Sequence, residues 1–309
     1  MNAGLGIGLK VLSAFAFTLM SAGIKSFEGS YPTGQIVFFR SAFAIVPLVA
    51  WLSWQGKLLQ SVKTSDLRGH VVRGLIGSAG MFSGFVSLSY LPLPDAVAIG
   101  YISPLLTVMF AALLLRETVR VYRWSAVAAG FVGVLIMLLP HFRKAGLGVS
   151  AVDTTLVGAA FGLLGATCAA GATIQVRRLT ATERTGAIVL YFSLLTTLLG
   201  LSTIVLGWNL PNAVDLAKLV IIGILGGVGQ ILMTQSYRYA EASLVAPFDY
   251  TTMIWALLIG WFVFGDLPGT EIAVGGAVVI AAGLFVIWRE RQLGLHRAKH
   301  VETGAQRVT

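Results

Sequence analysis

The chain has 309 residues, of which 56% are hydrophobic and only 11% charged, and its mean hydropathy is +0.84. A soluble protein carries about 25% charged residues to wet its surface, so this composition excludes a soluble enzyme, a secreted disulfide scaffold and a disordered chain. The single Cys168 cannot form an internal disulfide, four scattered histidines do not suggest a metal centre, and the net charge of +9 must be tested as a topology signal before a nucleic-acid one.

About 20 mostly apolar residues cross a hydrocarbon core. Ten such segments follow in chain order, at 5–25, 34–54, 70–90, 95–115, 122–140, 154–176, 185–207, 216–237, 243–264 and 270–288. Pro32, Pro92, Pro94, Pro140, Pro211 and Pro268 fall in or beside the connections, where a missing backbone N–H costs least. The connections are too short for a separate soluble domain. The first apolar run lacks a basic leader and holds Lys10 within it, so span one is expected to be retained. Residues 289–309 form a polar tail.

An even number of spans puts both termini on one side. If that side is the cytoplasm, the inner connections, span ends and tail hold 17 Lys and Arg, including Lys10, Arg73 and Arg116. The outer side holds 4, namely Lys25, Arg143, Lys144 and Lys218, and Arg40 stands within span two. The positive-inside rule expects this asymmetry. It places both termini in the cytoplasm and removes the reason to expect a nucleic-acid partner.

A fixed offset of 149 residues relates the halves. Gly74, Gly77 and Gly80 fall on Gly223, Gly226 and Gly229; Ser87 falls on Ser236, Tyr90 on Tyr239, Tyr101 on Tyr250, and Glu117 on Asp266. Glycines at this spacing let helix backbones approach closely. Five spans is an odd number, so the second unit enters the membrane from the opposite side. The expected fold is therefore an all-α integral membrane protein of ten transmembrane helices, built as two inverted five-helix repeats over 1–140 and 154–288 with 141–153 connecting them. Inverted repeats are a recurring plan of secondary transporters, which hold solute near the midplane between the halves.

Tyr101-Ile-Ser-Pro104 in span four and the Arg116-Glu117 ending, together with the ten spans and two repeats, resemble the EamA type of the drug/metabolite transporter superfamily over residues 1–290. Phe38-Phe39-Arg40-Ser41 resembles the bacterial branch of riboflavin and S-adenosylmethionine transporters, which implies a protein of the bacterial inner membrane. Span nine departs from the family pattern. Thr251-Thr252 stands where a repeat often has Ser-Pro, and Asp249 lies just upstream.

Charges inside a membrane cost about 2.5–3.5 kcal/mol on insertion scales and so usually have a reason. Asp249 follows Pro247, which loosens the helix; the carboxylate serves solute, a proton or a structural ion pair. Lys10 is expected to snorkel to the headgroups along its apolar stem. Arg40 is expected to cap carbonyls of a neighbouring broken helix, with solute contact as the alternative. Phe39, Phe82, Tyr101, Tyr250 and Trp255 offer rings for a planar solute, and Gln230 offers uncharged hydrogen-bonding groups. Tyr101 and Tyr250 rank first because the repeat sets them at matching points, and both are expected to line a central cavity.

No HExxH, Gly-x-Ser-x-Gly or phosphate-binding glycine loop occurs, so neither an enzyme nor ATP-driven transport by this chain is expected, and no cofactor is called for. The inventory suits a small planar polar solute held by stacking and oriented hydrogen bonds. Riboflavin uptake is the first expectation, and S-adenosylmethionine or an amino-acid-type metabolite the second. A non-transporting membrane scaffold or sensor is the reading of another class.

Overall fold

The computed structural model describes residues 2–27, 30–56, 58–90, 99–117, 119–145, 152–264, 270–271, 274–285, 288–289 and 292. Every regular element among them is helical. The longer helices are α1 (Ala3–Lys25), α2 (Thr33–Trp54), α4 (Leu67–Tyr90), α5 (Ile102–Leu114), α6 (Val121–Ala145), α7 (Val152–Thr182), α8 (Thr185–Ser202), α9 (Ala213–Tyr239) and α11 (Thr251–Phe264). A short α3 (Leu58–Val62) precedes α4, a four-residue α10 (Ala242–Val245) precedes α11, and α12 spans Val274–Phe285.

Among the described residues, five segments are long and apolar enough to cross a membrane: Ala3–Ile24, Thr33–Trp54, Val157–Thr182, Thr185–Leu206 and Ala213–Tyr239. The protein is thus a multi-pass membrane protein. In α4 the apolar stretch is shortened by Arg68, His70 and Arg73 in its first two turns. The counterpart of Glu117, Asp266, lies outside the described residues.

The most extensive packing is of α4 along α7 and of α1 along α9. Small residues permit both. A Cβ on Gly80 would stand 3.3 Å from the Ala169 amide nitrogen, and one on Gly165 would stand 3.3 Å from the Gly80 carbonyl. On α9, a Cβ on Gly227 would lie 2.5 Å from the Ala44 carbonyl and 2.7 Å from the Pro47 ring, so only glycine lets α9 pass α2 at its internal proline.

Polar clasps fasten both ends of the bundle. At one end Glu183, between α7 and α8, accepts from the Ser65 amide (2.8 Å), the Ser65 hydroxyl (2.8 Å), the Asp66 amide (3.0 Å) and the Thr64 hydroxyl (3.0 Å). Those amides open α4, where orphan N–H groups need an acceptor. At the other end Tyr31 donates to Asp215 at 2.8 Å, and Gln35 exchanges two hydrogen bonds with the Asn209 backbone. The offset that relates the glycines also sets Asp66 on Asp215, so matching acidic residues open α4 and α9.

Burial alone would raise the Glu183 carboxyl, but the hydrogen bonds from Ser65, Thr64 and Asp66 hold it at about 2, below its ordinary 4.5. A carboxylate depressed on folding contributes stability that is complete above its ordinary value and is lost as pH falls through the folded value. The melting temperature of the wild type should therefore fall between pH 4.5 and about 2 more steeply than that of Glu183→Gln. Parallel curves would remove Glu183 as the source.

Candidate solute site

The chain between α10 and α11 does not continue as an α-helix. Residues Ala246–Tyr250 form a 3-10 turn with Pro247 in its first turn, as expected where proline supplies no N–H and crowds the preceding turn. This break sets Asp249 against α1. Lys10 Nζ lies 2.7 Å from Asp249 Oδ1 and donates to Tyr237 Oη at 2.8 Å. The Lys10 side chain is 4% exposed, that of Asp249 35%. Lys10 therefore does not snorkel. A carboxylate and a phenol inside the bundle satisfy its ammonium, which removes the reason to reach for headgroups.

Beside this pair the two repeat-related tyrosines meet. The Tyr101 and Tyr250 rings are 5.6 Å apart at 44°, and Tyr250 Oη donates to the Tyr101 carbonyl at 3.4 Å. Thr252 donates its one hydroxyl proton to the Asp249 carbonyl at 2.7 Å, so Tyr101 Oη must be the donor in its 2.9 Å contact with Thr252. Tyr250 is fully buried and Tyr101 nearly so. In this conformation they pack on each other instead of lining an open cavity. The Tyr250 ring lies over Gly130 of α6, where a Cβ would come within 2.4 Å. Trp255 stacks edge-on against Phe15 at 4.9 Å, and its indole N–H has no partner among the described residues.

The other expected residues lie apart from this cluster. Phe39 belongs to a ring group with Phe38, Phe43 and Trp208, and Phe82 is half-buried on α4 with no ring contact among the described residues. Gln230 is buried on α9 with its amide nitrogen unpartnered there. Among the described residues Arg40 caps no carbonyl of a broken helix, and its polar contact is with the Met20 thioether, 3.4 Å from Nε. A cleft of about 460 Å³ lies elsewhere, beside the Glu183 clasp, and is lined in part by Gln60, Lys63 and Thr64.

Three residues gain roles that the sequence reading did not give them. Tyr237 is fully buried and bonds Lys10. Arg73, one of the basic residues assigned to the inner side, is 4% exposed, with its guanidinium carbon 4.0 Å from the Phe192 ring centroid. The signal was present, since residue 73 falls inside the 70–90 segment. Glu117 turns back at Arg116, a non-glycine residue at φ 54°, and accepts from the Ala242 and Ser243 amides and the Ser243 hydroxyl at 3.2, 3.1 and 2.7 Å. The Arg116-Glu117 pair thus caps the helix that leads into the 3-10 turn.

The model of the EamA-like transporter family matches residues 4–139 and 156–289. The chain belongs to this family. It is 30% identical to the pseudopaline exporter CntI of Pseudomonas aeruginosa PAO1 over 90% of this chain and 94% of that protein. It is 25% identical to the S-adenosylmethionine uptake transporter of Rickettsia prowazekii, over 94% and 97% of the two chains. The riboflavin transporter of Vibrio cholerae is 29% identical over 88% and 89%. A solved crystal structure superposes with a TM-score of 0.81 at 17% identity, covering 95% of this chain and 99% of that one. That likeness is one of fold. The EamA family and these named relatives are transporters, not enzymes, and transport of a small molecule is the function they support.

Proposed function

We propose that this EamA-family protein is a ten-helix, inverted-repeat secondary transporter that moves a small, planar, polar metabolite across the bacterial cytoplasmic membrane by alternating access. The solute binds where α1, α5 and α9 meet the 3-10 turn. Two observations support the repeat: the offset exchanges the α4–α7 and α1–α9 packings, and it exchanges the acidic residues that open α4 and α9. Two units fastened separately at each end are suited to rocking about a central site.

The Lys10–Asp249 pair carries the solute reading. Its ammonium is closed off, whereas its carboxylate remains about one-third exposed beside two tyrosine rings. A solute with a flat ring and a cationic group uses both features, through stacking and charge. S-adenosylmethionine, with its adenine, sulfonium and amino groups, meets that description and moves ahead of riboflavin. Riboflavin, the first expectation from the sequence, is favoured by the uncharged Tyr and Thr hydrogen-bonding groups and becomes second. Reconstituted vesicles should take up labelled S-adenosylmethionine, with unlabelled riboflavin competing weakly. Growth of a riboflavin auxotroph rescued by this chain at low external riboflavin would reverse the order.

The orientation is tested separately. With Cys168 replaced by serine, a cysteine at Gly146 should react with an impermeant thiol reagent added outside whole cells, and one at Gly304 should not. Reversed labelling would place both termini outside.

A further inference from the structure

The cleft beside the Glu183 clasp takes no part in the solute site. It encloses about 460 Å³, and Leu59, Gln60, Lys63, Glu183 and Arg184 line it. Its walls come from α3 and from the junction of α7 and α8, at the end of the bundle where α2 stops at Trp54. Trp54 is 88% exposed and Leu59 84%. Large apolar side chains that stand clear of the protein where membrane-spanning helices end belong at the boundary between acyl chains and headgroups.

The charges of the cleft are divided by depth. The Glu183 side chain is 4% exposed, and its Oε1 is occupied by Thr64, Ser65 and Asp66. Lys63 and Arg184 are exposed. Arg184 Nη1 donates to Gln60 Oε1, whereas Lys63 meets no acceptor among the described residues. The mouth thus presents two cations, and the carboxylate beneath them is committed to the clasp.

The other end of the bundle shows that such a clasp does not require cations. The 149-residue offset sets Gln35 on Arg184, Gln60 on Asn209 and Lys63 on Asn212. Both matching pairs are in contact: Gln35 bonds the Asn209 backbone, as Arg184 bonds Gln60. At the Gln35 end neutral side chains do this work, and Asn212 caps α9 by accepting from the Asp215 amide at 2.9 Å. Fastening the helices therefore does not account for the charges of Lys63 and Arg184. Basic pockets between helix ends suit lipid phosphates, and a guanidinium suits the phosphate oxygens in particular. Leu59, on the same wall, suits a phosphate that carries acyl chains better than a free one.

We propose that this cleft binds the headgroup phosphate of an anionic phospholipid, with Lys63 and Arg184 as its charge partners and Leu59 against the start of its acyl chains. The proposal needs only a membrane-spanning chain, so it stands or falls apart from the transport reading and from the orientation of the termini.

Thermal unfolding of purified full-length protein in neutral detergent tests it, as the micelles are enriched in phosphatidylglycerol. Parallel arms use phosphatidylcholine and, for a phosphate without chains, dissolved glycerol 1-phosphate. The wild type should show a saturable rise in melting temperature with phosphatidylglycerol. Lys63→Gln/Arg184→Gln should need about tenfold more of that lipid for half the effect, as expected for the loss of two interfacial charges. Arg68→Gln/Arg120→Gln removes two exposed charges that do not line the cleft and should match the wild type. Lys63→Glu touches a side chain without a partner among the described residues, and should abolish the saturable rise even if the double glutamine variant fails to fold. No saturable rise in the wild type overturns the proposal, and so does an equal rise with phosphatidylcholine. An equal response to glycerol 1-phosphate overturns the lipid as occupant. Equal weakening by the Arg68/Arg120 pair, or an unchanged response in Lys63→Glu, overturns the cleft as the site.

Discussion

Asp249→Asn is expected to destabilise the protein by about 3–5 kcal/mol, the usual cost of removing one partner from a buried ion pair, and by more than Lys10→Met does. The asymmetry follows from burial. Without the carboxylate, an ammonium whose side chain is 4% exposed keeps only the Tyr237 hydroxyl as partner. Without the ammonium, a carboxylate that is 35% exposed can turn to water. The double variant Lys10→Met/Asp249→Asn strands no charge and should recover most of the loss, giving a large coupling energy. Melting temperatures of the four proteins in one detergent measure this directly. If Lys10 reached the headgroups instead, the single effects would be small and would simply add.

Tyr250→Ala should cost a further class of stability, about 3–5 kcal/mol, as aromatic truncations in packed interiors do. The ring is fully buried, packs on Tyr101 and covers Gly130, and neither helix can close the gap without giving up other contacts. Tyr250→Phe keeps the ring and loses only a long hydrogen bond of 3.4 Å, worth about 1 kcal/mol or less. It should fold like the wild type. The phenylalanine variant is therefore the one in which transport can be read without a folding defect. Normal folding of Tyr250→Ala would mean that the ring is not part of the core.

Much of this architecture could be read from periodicity and repetition. The apolar segments gave the helices, the glycine triplets gave faces that pack closely, and the 149-residue offset singled out two tyrosines that do meet. Pairings between distant elements were not legible. Nothing local to Lys10 shows that Asp249 and Tyr237, the latter 227 residues away, will meet its ammonium, so its apolar stem suggested snorkelling. Arg73 was hidden for a related reason. Near a helix end, a basic residue reads as a loop charge until the neighbouring α8 is seen to cover it. The Arg116-Glu117 pair was visible as a helix ending. Its role in capping α10 depended on a left-handed turn at Arg116 that no periodicity reports.

The central claim is that solute crosses by way of the Lys10–Asp249 site. Counterflow tests it most directly: vesicles preloaded with unlabelled S-adenosylmethionine, or with riboflavin, are diluted into the labelled compound. Wild-type vesicles should accumulate label transiently with at least one of the two. Vesicles holding the same amount of folded Lys10→Met/Asp249→Asn protein should not. Equal accumulation by the two proteins, or none by the wild type with either solute, would contradict the account.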